Sequence, residues 1–246
     1  SGSERTETYG YELKNDFELE RLSASKFIDK LVVATSNDPS DNAIETLCIE
    51  NNTEYFRGSL NNVLERFYRC AIKYNPKHVV RLTGDCPLTD VKVIDSVIKY
   101  YLDNDFDYVS NCIEPTFPDG LDIEIFSFKS IEKAFNKAKL PSEKEHVTPY
   151  INKNPTFFKI GIYRNDKDYS HLRWTVDEPE DFAFISKIYE LLYPVNPYFN
   201  MKDVLDLIEN NPELSGINDK FERNEGLKKT LKKDMEVIVG GADAAQ

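Results

Sequence analysis

His78-Val79-Val80-Arg81-Leu82-Thr83-Gly84-Asp85-Cys86-Pro87-Leu88-Thr89-Asp90 is the stretch from which the fold is read. Its first five residues, apolar and β-branched around one arginine, have the pattern of a short buried strand. Gly84 lets the backbone turn sharply or approach a ligand closely. Asp85 falls just past the strand's carboxyl end, and Pro87 directs the exit. Thr89 or Asp90 then caps the amphipathic run Val91–Tyr101. Strand, acidic turn and helix in that order is how open α/β sheets present ligand sites, at the carboxyl ends of their strands. A carboxylate there suits a divalent cation that carries a phosphorylated substrate. Bracing or capping the turn is the alternative role for Asp85.

Outward from this stretch, strand-like and helix-like segments alternate. Upstream, Leu19 and Leu22 mark a short helix and Ile28–Thr35 a central strand. Ser36–Asp41 is a turn and cap cluster that starts a helix ending at Asn51-Asn52. Thr53–Phe56 is a brief strand, and Asn61–Tyr74 a helix with Val63, Leu64, Phe67, Tyr68 and Ala71 on one side. Downstream, Asp107–Ser110 reads as a strand. Leu121–Phe126 alternates as L-D-I-E-I-F, which predicts one polar face shared by Asp122 and Glu124. A helix over Ser130–Lys139, strands over Phe157–Tyr163 and Leu172–Val176, and helices over Phe182–Tyr193 and Met201–Glu209 complete the pattern. Short connections between β and α segments predict a single α/β domain with helices on both sides of a mixed, mostly parallel sheet.

Composition sets limits on function. The 246 residues are 40% hydrophobic and 12% aromatic, enough for one large core. A net charge of -12 offers no basic face to a nucleic acid, although a bound metal can reverse the local sign for a nucleotide. No apolar run approaches the ~20 residues that cross a bilayer, and no signal peptide is evident, so a cytoplasmic protein with no membrane partner is expected. Cys48, Cys70, Cys86 and Cys112 stand singly, as buried thiols in a reducing compartment do. Cys86 adjoins Asp85, but no base for a catalytic thiol is visible beside it.

Several segments together resemble the cytidylyltransferases of acidic sugars, of the spore-coat-polysaccharide type related to acylneuraminate and 3-deoxy-manno-octulosonate (KDO) cytidylyltransferases. They are V-V-A-T-S at Val32–Ser36, F-R-G-S at Phe56–Ser59, V-L-E-R at Val63–Arg66 and R-L-T-G-D-C-P-L at Arg81–Leu88. F-P-D-G-L-D-I-E at Phe117–Glu124, E-H-V-T-P-Y at Glu145–Tyr150 and R-W-T-V-D-E-P-E-D at Arg173–Asp181 continue the set. G-D-x-P alone is weak; the ordered set is specific and spans roughly 18–231. The resemblance implies a Rossmann-like nucleotidyltransferase domain that transfers CMP from CTP to an acidic or nonulosonic sugar, releasing pyrophosphate, for a surface polysaccharide. It also implies Mg²⁺ held by Asp85 and Asp177 as the catalytic carboxylates. Arg57, Arg66 and Arg81 become candidate nucleotide or phosphate contacts, and Asp122, Glu124, Glu145 and His146 candidate contacts to the sugar. Asp119, at the turn, is the more structural of the acidic residues there. A helix cap is the other role open to Asp177.

The resemblance has a gap. The family opens on a strand and a basic loop of the type A-R-x-x-S-x-R-L-P-x-K, which cradles phosphates with backbone N–H groups and cations. Residues 1–17, polar and begun by a tag-like Ser1-Gly2-Ser3, supply Arg5 and Lys14 but no such loop. Two readings result: a natural protein with more chain upstream, or a catalytically impaired relative serving as a sugar-nucleotide binding or assembly module. A glycosyltransferase of the GT-A-like kind is a further alternative, against which Asp85-Cys86-Pro87 is not the D-x-D such enzymes carry. Residues 232–246, with Met235–Gly241 strand-like, are expected to form an edge strand or the opening of another domain. A homodimer is also among the expectations.

Overall fold

The computed structural model describes residues 18–221, 223 and 225–243, so the expectations for residues 1–17 lie outside the described part. A helical turn over 18–22, α1, leads to β1 (Val32–Ser36) and, after a 3-10 turn, α2 (Asn42–Glu50). β2 (Glu54–Gly58) and α3 (Val63–Tyr74) follow, then β3 (His78–Arg81), α4 (Val91–Leu102), β4 (Tyr108–Ser110) and β5 (Glu124–Ser127). Next come α5 (Phe128–Lys137), α6 (Pro141–His146), α7 (Pro149–Asn152), β6 (Ile160–Ile162), α8 (Pro179–Leu192), α9 (Met201–Asn210) and α10 (Glu225–Asp243).

The described strands form two hydrogen-bonded groups. β1 and β2 pair in parallel, and β3-β5-β4-β6 form a mixed sheet in which β5 runs antiparallel to both neighbours while β4 and β6 are parallel. Side-chain alternation then builds the layers. Val109 and Ile125 point into a core shared with α4, α8 and Trp174, whereas Tyr108 and Phe126 point into a second core with α3, α5 and Ile151. A sheet apolar on both faces must be covered on both, which makes the α/β/α arrangement.

Local signals account for most boundaries. Asp90 caps α4, its carboxylate accepting from Lys92 N at 2.7 Å, and Asn62 caps α3 through Glu65 N at 3.0 Å. The strand at Leu172–Val176 does not form. Among the described residues its only ladder contact is a bridge from Arg173 to Asp119, with Asp119 N donating to Leu172 O at 2.9 Å and Trp174 N to Asp119 O at 2.6 Å. The expected polar face of β5 is also absent: Glu124 is buried, because it shares the face of Phe126 that the second core covers. At the far end the apolar run from Met235 continues α10 instead of forming a strand. As a helix, the run satisfies its backbone groups internally.

Candidate active site

The turn after β3 and the segment before α8 lie side by side. Asp85 O accepts from Val176 N at 2.8 Å and from Thr175 Oγ1 at 3.2 Å, fixing the two loops across more than ninety residues of chain. Asp85 and Asp177 are thereby neighbours, and their fields interact: burial first and then the charge of Asp85 raise the pKa of Asp177, with Arg173 opposing.

Neither carboxylate is occupied as a helix cap. The N-cap of α8 is Glu178, and Asp181 reaches back to accept from Glu178 N at 3.0 Å and Asp177 N at 3.1 Å. Asp177 accepts one bond from Arg173 Nη2 at 2.9 Å and leaves its carboxylate about half exposed. Among the described residues, the Asp85 carboxylate receives only a long contact of 3.5 Å from the Cys86 thiol. Burial pushes that thiol well above its usual pKa, with the charge of Asp85 adding to the effect, so Cys86 is an inert neighbour and not a nucleophile. Gly84 has no positive φ, and a Cβ there would meet nothing within 4 Å. The turn itself does not require glycine, which leaves close access from outside as what its absent side chain provides.

Arg173 organises the floor of this site. Partly buried, it donates from Nε and Nη2 to Asp181 at 2.9 and 2.8 Å, and its Nη1 lies 3.7 Å from Asp119. Asn218 Nδ2 completes the set, donating to Asp181 Oδ1 at 2.8 Å and to Arg173 O at 3.0 Å. Gly120, at φ 107°, brings the turn so close that a Cβ would sit 2.5 Å from the carbonyl carbon of Trp174.

The acceptor-side candidates form an adjoining polar cluster. Arg223 Nη2 donates to Asp122 at 2.5 Å, and its Nη1 donates to Phe117 O at 3.1 Å. Burial raises the Asp122 pKa to about 6, with Arg223 opposing. The field of Asp122 reaches both Cys86 and Cys112 and adds to the rise of their pKa values. Glu124 accepts from Arg81, from Thr148 and from Tyr108 Oη, the last at 2.6 Å. Thr148 reaches it because Val147, buried and β-branched, takes φ 71° at the end of α6. Such a conformation costs on the order of 1–3 kcal/mol and persists only where its surroundings impose it. His146 Nε2 meets Thr230 Oγ1 of α10 at 3.2 Å, and burial holds the imidazole pKa below its ordinary value. Glu145 is exposed.

The three candidate arginines fall in different settings. Arg57 donates to Ser36 O, Asn42 Oδ1, Glu45 and Asp38 O at 2.5–2.8 Å, bracing the turn after β1. Arg66 donates to Ser59 O at 3.1 Å and Arg81 pairs with Glu124, yet the Nε of each is buried with no partner among the described residues. Each lies within the other's field, since Arg81 lowers the pKa of Arg66 after burial does. A buried donor left unpaired costs about 1–3 kcal/mol, so these two atoms are unsatisfied in a way those of Arg57 are not.

Sequence reasoning did not single out Arg173, Asp181, Asn218 or Arg223 as site residues. The spacing of Arg173, Asp177 and Asp181, one helical turn apart each, is the signal that would have found the first two. Nothing local points to Asn218 or Arg223.

A cytidylyltransferase family model matches residues 16–203, most of the chain. The chain belongs to the cytidylyltransferase family. It is therefore a nucleotidyltransferase enzyme by family, with the mixed α/β fold described above. It is 39% identical over 205 residues to an uncharacterised protein of Methanocaldococcus jannaschii, covering 81% of each chain. It is 29% identical over 194 residues to the spore coat polysaccharide biosynthesis protein SpsF of Bacillus subtilis, covering 75% of this chain and 77% of that one. Among solved structures, a cytidylyltransferase from Leptospira borgpetersenii superposes with a TM-score of 0.80 at 35% identity, over 85% of this chain and 88% of the other. Among the described residues of this cytidylyltransferase, no helix is long and apolar enough to cross a membrane.

Proposed function

We propose that this cytidylyltransferase transfers CMP from CTP to a hydroxyl of an acidic or nonulosonic sugar, releasing pyrophosphate, in the biosynthesis of a surface polysaccharide. The observation that carries this reading is the convergence of Asp85 and Asp177 from two loops tied by the Val176–Asp85 hydrogen bond. The kinship with SpsF, named for spore coat polysaccharide biosynthesis, supports the polysaccharide setting.

The two carboxylates fit a hard divalent cation, Mg²⁺ in our reading. Both offer only oxygen, and the charge of Asp85 raises the proton affinity of Asp177, so the pair is short of positive charge. Arg173 compensates Asp177 in part. Among the described residues no group of three or more His, Cys, Asp or Glu is gathered for a metal, so further oxygens would come from phosphates and water. Bound there, the cation would neutralise charge on the phosphoryl oxygens.

The chain's own residues do the positioning. Asp181 and Arg173 hold Asp177 at the mouth of the site, and Thr175 with Val176 hold the Asp85 turn against it. We assign Arg66 and Arg81, whose buried Nε atoms have no partner among the described residues, to the nucleotide side. We place the sugar toward Asp122 and Glu124, with Glu145 and His146 at its rim. As the sugar hydroxyl oxygen bonds to the α-phosphorus, its proton passes to water, and the bond to the bridging oxygen breaks with its electron pair leaving on pyrophosphate.

Calorimetry of CTP binding with and without Mg²⁺ tests the assignment. Asp85→Asn and Asp177→Asn should each weaken Mg²⁺-dependent CTP binding while thermal unfolding stays cooperative. Unchanged nucleotide and metal affinity in both variants would overturn it. Pyrophosphate release across a panel of acidic sugars then tests the reaction, and CTP binding with no release for any sugar would favour a binding module.

A further inference from the structure

The turn that carries Asp85 lies between β3 and α4 in neither helix nor strand, so neighbouring groups and not a ladder must hold its backbone. Asp85 O is taken by Val176 N and Thr175 Oγ1. Cys86 O accepts from Thr89 N at 3.2 Å and from Thr89 Oγ1 at 2.5 Å. Pro87 O accepts from Tyr189 Oη of α8 at 2.5 Å, and Thr89 O from Arg21 Nη2 of α1 at 2.9 Å. Two elements remote in sequence therefore grip the exit of the turn, while the Asp85 carboxylate is left with the 3.5 Å thiol contact among the described residues. A fixed backbone under a free carboxylate is how a binding group is preorganised.

Arg21 joins the two grips. It is 3% exposed, its guanidinium carbon lies 3.9 Å from the centre of the Phe199 ring, and Nη2 also donates to Phe199 O at 2.8 Å. Nη1 donates to Tyr189 Oη at 3.3 Å. A phenol has one proton, and with Arg21 donating to the oxygen that proton is directed to Pro87 O. The hydrogen bonds of Arg21 among the described residues go to a phenol and two carbonyl oxygens, and to no carboxylate. An apolar side chain of similar volume is often the more stable choice at a buried site. What it could not do is hold backbone oxygens of two segments in one planar fork. We propose that Arg21, extended by Tyr189, is a positioning residue for the reaction: it fixes the turn at Pro87 and Thr89 and so sets where the Asp85 carboxylate stands. This rests on the role proposed above for Asp85 toward CTP.

Two conservative variants test it. Tyr189→Phe removes one hydroxyl and keeps the ring that packs edge-on against Phe199, and Arg21→Lys keeps the charge without the fork. Alkylation of Cys86 by iodoacetamide, followed by peptide mass, reads the turn directly, because a thiol 5% exposed reacts through local opening. Both variants should speed this reaction about tenfold, the worth of one buried hydrogen bond. Cys48, fully buried on α2, should keep its wild-type rate. CTP affinity by calorimetry should fall by a similar factor. In an Asp85→Asn background neither variant should weaken it further, because the effect runs through that carboxylate. General loosening would instead speed both cysteines together, or lower CTP affinity equally in both backgrounds. Either result overturns the proposal, as does an unchanged Cys86 rate. Should Asp85→Asn alone leave CTP affinity unchanged, the role of Asp85 fails, and the cysteine rates still decide whether Arg21 holds the turn.

Discussion

Asp181 offers a perturbation whose size can be worked out before it is measured. Its side chain is fully buried and accepts five hydrogen bonds: two from Arg173, one from Asn218 and one each from the backbone N–H groups of Asp177 and Glu178. Removing one member of a buried ion pair typically costs about 3–5 kcal/mol, because the other charge remains without its partner. Arg173 would keep Asp177 at 2.9 Å and Asp119 at 3.7 Å, which places Asp181→Asn near the lower end, about 3 kcal/mol, and Asp181→Ala above it. Urea unfolding at neutral pH measures this as a lower midpoint at constant slope. The pH dependence gives an independent check. Burial alone would raise the Asp181 pKa, but the bonds from Arg173, Asn218 and the backbone hold it below the ordinary carboxylate value of 3.8. The contribution is therefore fully present above that value and is lost as pH falls through the lower, folded-state pKa. Wild type and Asp181→Asn should converge in stability under acid conditions. A cost at neutral pH below about 1 kcal/mol, the range of a surface pair, would refute the reasoning, as would a gap unchanged by acid.

Three further perturbations test separate parts of the structure. Gly120→Ala would place a Cβ 2.5–2.7 Å from the backbone of Trp174 and Thr175 at φ 107°, and should cost about 3 kcal/mol or more in thermal or urea unfolding. A loss within experimental error would show that the turn relaxes. Glu18 is buried with a pKa of about 8, raised from 4.5 mainly by burial, so the folded state keeps a proton that the unfolded chain releases. Stability should fall between those two pH values by at most about 1.4 kcal/mol per unit, and Glu18→Gln should abolish that slope; an unchanged slope counts against the assignment. Glu124→Gln removes the charge opposite Arg81, whose pKa it raises against burial, and should cost about 3 kcal/mol. Arg81→Met in the same chain should recover part of the loss, and additive costs would mean the pair is not coupled.

Short-range chemistry was legible from the residues alone. The β-branched run of β3, the Asp90 cap and the one-sided apolar pattern of α3 act within a few residues of chain, and each appears where its pattern places it. The neighbourhood of Asp85 and Asp177 was also foreseeable, because each follows a strand-like run and precedes a helix start. Partner choice was not. Arg57, Arg66 and Arg81 look alike in sequence, yet one is held by a turn and two keep a buried Nε with no partner among the described residues. Glu124 had the alternation of a solvent-facing residue, and only the helices packed over β5 made it an interior carboxylate.

Leu172–Val176 and the run from Met235 both have strand propensity, but a strand also needs an edge to bond. Among the described residues the first forms a single bridge, at Asp119, and the second continues a helix. Arg223 reaches Asp122 across 101 residues, and Thr230 reaches His146 across 84. No local pattern encodes such contacts. They are decided by which surfaces fold together, because burial and hydrogen-bond satisfaction are summed over the whole tertiary structure and not over neighbours in the chain.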